Sequence, residues 1–271
     1  MANEPPSVHN VDMSEGVQGA QVVHRLAGVL RAVSAAMPHG IATSDVARAA
    51  SLPRPTAHRL LASLAAEGFL DHDHRSGRWL LGPELYLMGS VAAERYDISS
   101  LAVEHVRALA EATGESAFFS VRRGNETVCL LREDGAFPIR SFVLHEGKRF
   151  PLGVASAGLA ILSFLPENTV EHYLAAADLS ADHGDGHDPD SIRARIRETR
   201  ALGYAVNPGL IVAGSWGMGA AVFDPSGQPA WALSLTGIAP RFASERRPEL
   251  GRLLLHHAHE LSKKLSSSAS R

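Results

Sequence analysis

The most regular pattern of apolar and polar positions in the chain lies within residues 42–82. Four apolar side chains are spaced i, i+3, i+4, i+7, which puts them on one face of a helix. They are Ala57, Leu60, Leu61 and Leu64. The other faces of its first two turns are polar and basic, with Arg54, Pro55, Thr56, His58 and Arg59. Taken alone, this stretch is typical of an ordinary surface helix.

The segments on either side of this helix change that interpretation. Residues 42–50 predict a short helix with Thr43 as its N-cap, and only Ser51-Leu52 separates the two helices. Gly68 follows the second helix, where glycine favours helix termination. Residues 69–73 and 78–81 then predict two strands joined by a basic turn. This order predicts a winged helix-turn-helix, and therefore DNA binding.

The helix-turn-helix has predicted helices before and after it. Apolar positions from Val22 to Val33 mark one face of a preceding helix, on which the motif packs. Residues 83–92 predict a following helix that begins at Pro83 and is apolar on two faces. Such a helix either links two domains or contacts a second subunit. Residues 1–19 lack periodicity and predict a flexible tail.

The second half of the chain mixes helix and strand signals. Helices are predicted at 101–113, 159–164, 167–177, 189–201 and 245–265, and residues 178–188 as a polar loop. Strands are predicted at 116–121, 127–132, 139–144, 210–223 and 230–235. The expected fold is an antiparallel sheet with helices against it, so the fold class is α+β.

Composition and charge agree with two domains in a DNA-binding protein. The chain has 271 residues, 45% of them hydrophobic, and one cysteine, Cys129, which fits a reducing cytoplasm. Neither a signal peptide nor an apolar run of membrane-spanning length is evident. Residues 20–82 hold seven arginines and four acidic residues, a net charge of +3. Because the whole chain has a net charge of −3, the remaining residues carry −6. This asymmetry fits a basic DNA module joined to an acidic domain.

Six short motifs, in order, resemble those of the IclR-type bacterial transcriptional regulators. They are residues 51–61, residues 147–152 with the small residues that follow, 203–206, 220–224, 234–237, and Arg241-Phe242. The resemblance covers about residues 20–265. It implies a winged helix-turn-helix at 20–82, a linker and dimerisation helix at 83–96, and a GAF-like effector domain at 97–265, with 266–271 as a tail.

The resemblance also implies an operator DNA partner, a homodimer or homotetramer, and a small organic effector such as a carboxylic or aromatic acid. No cofactor is expected. Arg54 and Arg59 are candidates for bidentate contacts to guanine or phosphate. Ser44 and Thr56 lie near helix N-termini and suit phosphate, and His58 suits either group. Arg75 and Arg78 would lie on the wing.

The candidate effector site begins at Ser156-Ala157-Gly158, where small residues at a helix start leave N–H groups open to a carboxylate. Tight helix packing is the alternative reading. The family's pocket, carried over position by position, points to Ala157, Asn207, Gly217, Ser234 and Thr236. Gly217 stands where several relatives have Cys, which predicts a roomier pocket. Trp216 and Met218, beside it, are expected to supply apolar contacts. The expected effector is a carboxylate larger than a three-carbon acid.

Two competing readings remain. His183, Asp185, His187 and Asp188 could ligate a metal, but a solvated loop is the better interpretation, and no nucleophile elbow or phosphate loop indicates an enzyme. Cys129 is expected to be an inert buried thiol. Alternatively, the second domain only dimerises and binds no ligand.

Overall fold

The structure is a computed structural model that describes residues 21–95 and 98–268. The predicted tail at 1–19 lies outside these residues, as do Tyr96 and Asp97 at the expected linker boundary. The described residues form two compact units, 21–95 and 98–268.

The first unit contains four helices and a small antiparallel sheet in the order β1-β3-β2. Its elements are α1 (Gln21–Ala35), β1 (Ile41–Ala42), α2 (Thr43–Ala49), α3 (Arg54–Ala66), β2 (Leu70–Asp73), β3 (Arg78–Leu81) and α4 (Pro83–Arg95). The apolar stripes of α1, α2 and α3 meet β2 and β3 in one core. Its buried residues are Val29, Val33, Val46, Leu61, Leu64, Leu70 and Trp79. The unit is therefore the winged helix-turn-helix that the sequence predicts.

The ends of α2 and α3 differ from expectation in one detail. Thr43 is not the N-cap of α2, because Ala42 holds that position and Thr43 is the first helical residue. The Thr43 Oγ1 instead accepts a hydrogen bond from Trp79 Nε1 at 2.9 Å, which ties α2 to the wing. Gly68 follows α3 with a positive φ of 74°, as predicted for a residue just beyond a helix end.

The helix α4 exposes apolar side chains. Tyr86 is 74% exposed and Val91 73% exposed, and Leu87 and Met88 are each 53% exposed. A surface of this kind is typical of an interaction face.

The second unit has six helices and six strands besides two short 3₁₀ turns. The helices are α5 (Ile98–Thr113), α6 (Ser156–Ser163), α7 (Glu167–Ala176), α8 (Leu179–His183), α9 (Pro189–Leu202) and α10 (Arg247–Ser268). The strands are β4 (Ser116–Arg123), β5 (Glu126–Glu133), β6 (Arg149–Pro151), β7 (Ala205–Asn207), β8 (Ser215–Phe223) and β9 (Pro229–Ile238).

The strands form one antiparallel sheet in the order β6-β5-β4-β9-β8-β7 between two helical layers. Alternate residues on each strand point to opposite layers. Phe119 and Leu235 join a core with α5 and α10. Phe118 and Ala221 join another with α6, α7 and α9. The predicted α+β fold class is thus confirmed.

Several predicted boundaries in this unit are wrong. Residues 139–144 form no strand, and 210–214 form a loop before β8. The three-residue strands β6 and β7 were not predicted, and α8 lies within the expected polar loop. α10 continues to Ser268, three residues into the predicted tail. No helix in the described part of the chain is long and apolar enough to cross a membrane.

Candidate nucleic-acid interface and ligand cavity

The N-terminal half of α3 presents a basic surface. Ala57, Leu61 and Leu64 are buried, as predicted, and this leaves Arg54, Pro55, His58 and Arg59 exposed. Together with Thr43, those four residues line a shallow depression on the first unit. The i, i+4 spacing within the pairs Arg54/His58 and Pro55/Arg59 puts these side chains in two adjacent rows on one helix face.

The charges on this surface remain available for a partner. Among the side chains that the structure describes in residues 21–92, neither Arg54 nor Arg59 forms a salt bridge with a carboxylate, whereas Arg48 on α2 pairs with Asp45 at 3.1 Å. Exposed guanidinium groups without internal partners can bind phosphate or the edge of guanine. Ser44, the second residue of α2, is exposed, and Thr56 in the first turn of α3 is half-buried.

The turn of the wing is closed by Asp73. Its carboxylate accepts hydrogen bonds from the Ser76 hydroxyl at 2.5 Å and the Arg75 backbone N–H at 2.9 Å. The pKa of the Asp73 carboxyl is lowered, and the hydrogen bond from Ser76 makes the largest contribution. Arg75 is exposed at the turn. Arg78 is also exposed, but its Nη1 donates to the Gly40 carbonyl at 2.8 Å, so part of its guanidinium is held within the fold.

A small cavity lies in the second unit between the sheet, the N-terminus of α6 and two loops. Its volume is about 30 Å³, room for about two water molecules. Ala157, Asn207, Gly217, Ser234 and Thr236 all line it, as does Ser156. Trp216 also borders it, so the structure brings together seven of the eight predicted effector residues.

Close packing of α6 on β8 shapes this cavity. A Cβ at Gly219 would lie 2.9 Å from the backbone carbon and oxygen of Ser156 and 3.1 Å from the nitrogen of Ala157. Glycine at this position lets the start of α6 approach the sheet. The N-cap residue Ala155 has no side-chain acceptor, so it does not cap the first N–H groups of α6.

Two hydroxyls in the cavity lack hydrogen-bond partners. Ser234 is fully buried and Thr236 is 9% exposed, and both side chains lie on the same face of β9. No described residue hydrogen-bonds to Ser234 Oγ or Thr236 Oγ1. Buried hydroxyls normally have a partner, so these two indicate a place for a polar ligand or water.

Asn207 and His187 support the wall of the cavity from behind. The Asn207 side-chain nitrogen donates to the Val154 carbonyl at 2.8 Å, and its oxygen accepts from the Leu210 N–H at 2.9 Å. The buried His187 ring places Nε2 3.3 Å from the same Val154 carbonyl and Nδ1 2.9 Å from the His183 carbonyl. A neutral imidazole has one N–H, so the ring can donate to only one of these two carbonyls, whereas the Asn207 hydrogen bond to Val154 stabilises the segment that leads into α6. Burial lowers the pKa of His187.

The prediction for Met218 needs correction. Met218 is fully buried in the opposite layer with α5 and α10, because neighbouring strand residues point to opposite faces, so it does not line the cavity. Trp216 borders the cavity but packs against the same opposite layer, with Arg247 5.5 Å from its ring centroid. The space beside Gly217 is taken by Ser156, whose Oγ would lie 3.0 Å from an added Cβ. Ser156 therefore occupies part of the space that a larger side chain at position 217 would fill.

A segment without regular secondary structure, residues 134–148, covers the cavity. Val143 and Leu144 line it, and the Ser141 hydroxyl lies 2.5 Å from the Ser215 hydroxyl at the start of β8. Sequence reasoning missed these residues. It also missed Ser120 and Thr127, which line the cavity from β4 and β5. The sequence signal that could have identified them was a hydroxyl residue within an otherwise apolar stretch of a predicted strand.

The remaining cysteine and histidine candidates are buried within the fold. Cys129 is buried, and burial raises the pKa of its thiol to about 12. His105 on α5 and His257 on α10 approach within 3.0 Å through their Nδ1 atoms, and burial lowers the pKa of both. Residues 21–95 and 98–268 contain no group of three or more His, Cys, Asp or Glu side chains arranged for a metal ion.

Comparison with family models gives two matches. The model described as "Bacterial transcriptional regulator IclR C-terminal" matches residues 90–263, and that of the "IclR helix-turn-helix domain" matches residues 22–74.

Individual relatives agree with the family models. The chain is 29% identical over 223 residues to the transcriptional regulator KipR of Bacillus subtilis, covering 82% of this chain and 88% of that one. It is 25% identical over 224 residues to the acetate operon repressor of Salmonella typhimurium, covering 82% of each. An IclR homologue from Microbacterium hydrocarbonoxydans, solved with 4-hydroxybenzoate, has a TM-score of 0.73 at 23% identity, covering 90% of this chain and 99% of that one. At this identity the structural likeness shows the fold.

Proposed function

Because the chain belongs to the IclR family of bacterial transcriptional regulators, we propose that it binds operator DNA through α3 and the wing and responds to a small organic acid bound in its second unit. The membership confirms the resemblance that the motifs indicated, and the family is not one of enzymes. The observation that carries the effector proposal is the pair of unpartnered buried hydroxyls, Ser234 and Thr236, beside the uncapped start of α6.

For DNA, the exposed side chains of Arg54, His58 and Arg59 would enter the major groove. Arg75 and Arg78 on the wing, with Ser44 and Thr56, would hold the phosphate backbone. Contacts to base edges distinguish DNA sequences, whereas contacts to the phosphate backbone determine the affinity and its salt dependence. The proposed division is thus base contacts from α3 and positioning from the rest.

Selection of bound genomic DNA would supply an operator, and fluorescence anisotropy with that operator tests the DNA assignment. Arg59→Ala should weaken operator binding by about 1–3 kcal/mol because it removes a bidentate contact. Arg252→Ala is the matched control, since Arg252 is an exposed arginine on α10. Equal affinities for the two variants would exclude Arg59 from the interface.

For the effector, a carboxylate would accept hydrogen bonds from Ser234, Thr236 and the first N–H groups of α6. A cavity of about 30 Å³ is smaller than any organic acid of this kind, so binding requires movement of the cavity wall. The part that we propose to move is the middle of the covering segment, residues 138–146. Backbone hydrogen bonds hold the ends of the segment, from Phe137 N–H to the Gly114 carbonyl and from Gly147 N–H to the Cys129 carbonyl, whereas one side-chain hydrogen bond among those described, between Ser141 and Ser215, joins the middle to β8. An acid with more than three carbons, including an aromatic one, remains the proposed effector.

Thermal-shift measurements with 4-hydroxybenzoate as the first probe, followed by aliphatic acids including glyoxylate and pyruvate, test this site. A ligand raises the melting temperature in proportion to the logarithm of its concentration over its dissociation constant. Ser234→Ala and Thr236→Val should each reduce the shift, whereas Ser226→Ala, in an exposed turn, should not. Stabilisation by glyoxylate or pyruvate alone would refute the proposed size.

We further propose a homodimer or homotetramer that uses the exposed apolar face of α4. The chief alternative is a second unit that dimerises and binds no ligand. The cavity bounded by Ala157 and Ser234 favours the ligand. If no acid raises the melting temperature of a protein that still binds its operator, the alternative is favoured.

A further inference from the structure

The threonine at the start of α2 lies beside the basic surface of α3. Thr43 lines the same depression as Arg54, Pro55, His58 and Arg59, and those four residues all belong to α3. Its side chain is half-buried. The preceding helix of the helix-turn-helix therefore contributes a hydroxyl group to the edge of the surface that faces DNA in the proposed function.

A buried indole determines the role of the Thr43 oxygen. Trp79 Nε1 lies 2.9 Å from Thr43 Oγ1, and an indole N–H can donate but not accept, so the threonine oxygen is the acceptor. Trp79 is 4% exposed, and its ring stacks on that of His72 with a centroid distance of 4.2 Å and an interplanar angle of 28°. The donor is thus held in a fixed position behind Thr43.

The hydroxyl proton of Thr43 remains for a different acceptor. A threonine within a helix commonly donates to the carbonyl four residues earlier. Thr43 is the first residue of α2, so the corresponding residue, His39, precedes the helix. Among the hydrogen bonds of the described residues, none has the Thr43 hydroxyl as its donor. Because one lone pair of Oγ1 accepts from the indole, the O–H bond points away from Trp79.

We propose that Thr43 donates its hydroxyl proton to a phosphate of the operator, and that Trp79 is a positioning residue that orients this hydroxyl without touching DNA. The inference rests on the proposed DNA-binding function and adds a contact from α2. A phosphate is the fitting acceptor, since the first helix of a helix-turn-helix crosses the DNA backbone while the second enters the groove. An ionised acceptor also makes a stronger hydrogen bond than a neutral one.

Fluorescence anisotropy with an operator obtained by genomic selection tests the contact. Thr43→Val should weaken operator binding about tenfold, because it removes a hydrogen bond to a charged group. Thr43→Ser retains the hydroxyl and should bind like the wild-type protein. Ser63→Ala is the matched control, since it removes an exposed hydroxyl from the C-terminal half of α3 and should leave the affinity unchanged. Circular dichroism shows whether each variant is folded at the assay temperature.

Trp79→Phe separates a direct contact from a structural effect. Thr43→Val leaves the Trp79 N–H without its acceptor, whereas the double variant leaves neither partner unpaired. If Thr43 contacts a phosphate, the double variant binds as weakly as Thr43→Val. Recovery of wild-type affinity in the double variant would overturn the proposal, because it would show that Thr43→Val only disturbs α2. Trp79→Phe alone should weaken binding about threefold, since the hydroxyl then distributes over three staggered positions. No change would refute the positioning role.

Methylphosphonate substitution of the operator, which removes the charge of one phosphate at a time, requires no variant of Trp79. At one position the substitution should weaken binding by the wild-type protein more than binding by Thr43→Val. A phosphate contact carries no sequence information, so Thr43→Val should lose the same factor on the operator and on a random duplex, whereas Arg59→Ala should lose more on the operator. Equal methylphosphonate effects on the two proteins at every position would overturn the proposal.

The outcomes separate this inference from the DNA-binding function. If Thr43→Val binds the operator like the wild-type protein and Arg59→Ala binds it more weakly, the Thr43 contact is refuted and the DNA-binding function stands. If genomic selection yields no duplex that the wild-type protein binds, the DNA-binding function fails and the inference with it.

Discussion

Two glycines on β8 face α6 and offer a matched pair of substitutions, Gly219→Ala and Gly217→Ala. Both are buried, two residues apart on the same face, and neither has a positive φ. An alanine is therefore sterically allowed by the backbone at both positions. The two differ only in what the added methyl group would meet.

At Gly219 the methyl would meet backbone atoms that cannot rotate away, 2.9 Å from the Ser156 carbon and oxygen and 3.1 Å from the Ala157 nitrogen. Normal contact begins near 3.4 Å, so α6 would have to shift by several tenths of an ångström. Overpacking of this kind costs about 1–3 kcal/mol. The reduced freedom of the unfolded chain returns only about 0.4–1 kcal/mol. We expect a net destabilisation of about 1–2 kcal/mol.

At Gly217 the methyl would meet the Oγ of Ser156 at 3.0 Å, and the next contact, the Leu235 carbonyl, lies at 3.5 Å. Rotation of the Ser156 side chain relieves this contact. The unfolding free energy should therefore change by less than about 0.5 kcal/mol, as at sites without a strained feature. The methyl would nevertheless narrow the cavity and weaken effector binding.

Urea unfolding of the full-length protein, followed by tryptophan fluorescence, measures the difference. Trp216 and Trp231 lie in the second unit and report on it. Hydrogen exchange of the peptide spanning α6 should accelerate in Gly219→Ala and stay unchanged in Gly217→Ala. Equal unfolding midpoints for the two variants, or a less stable Gly217→Ala, would show that close packing of α6 on β8 does not limit this site.

The remaining predictions concern the wing and the buried histidines. Thr43→Val preserves shape but leaves Trp79 Nε1 without its acceptor, so the first unit should lose about 1–2 kcal/mol, measured as a lower urea midpoint of Trp79 fluorescence; an unchanged midpoint would contradict the role of this bond. Burial lowers the pKa of His105, His187 and His257 below the unfolded value of about 6.5, so the unfolded chain takes up protons first as pH falls. Stability should hold above that pH and decline below it, by at most about 1.4 kcal/mol per pH unit for each histidine, and urea midpoints that stay constant from pH 7.5 to 5.5 would refute this.

The sequence by itself determined the elements that local rules govern. The stripe of Ala57, Leu60, Leu61 and Leu64 predicted which face of α3 is buried, because helical periodicity depends only on spacing along the chain, although Leu60 is only half-buried. Gly68 marked the end of that helix for an equally local reason. The placement of the Ser234 and Thr236 side chains on the same face of β9 also followed from the two-residue period of a strand.

The tertiary structure decided what depends on distant partners. Strands β6 and β7 have three residues each and exist because β5 and β8 supply their hydrogen bonds, which no local pattern records. Residues 139–144 are apolar enough for a strand, yet they cover a cavity. Trp216 and Met218 were expected beside Gly217 in that cavity, and the packing of α6 decided that the glycine faces α6 and Met218 faces away. Which side of a strand meets which helix is a property of the assembled layers, and so the shape of the cavity could not be derived from the order of residues alone.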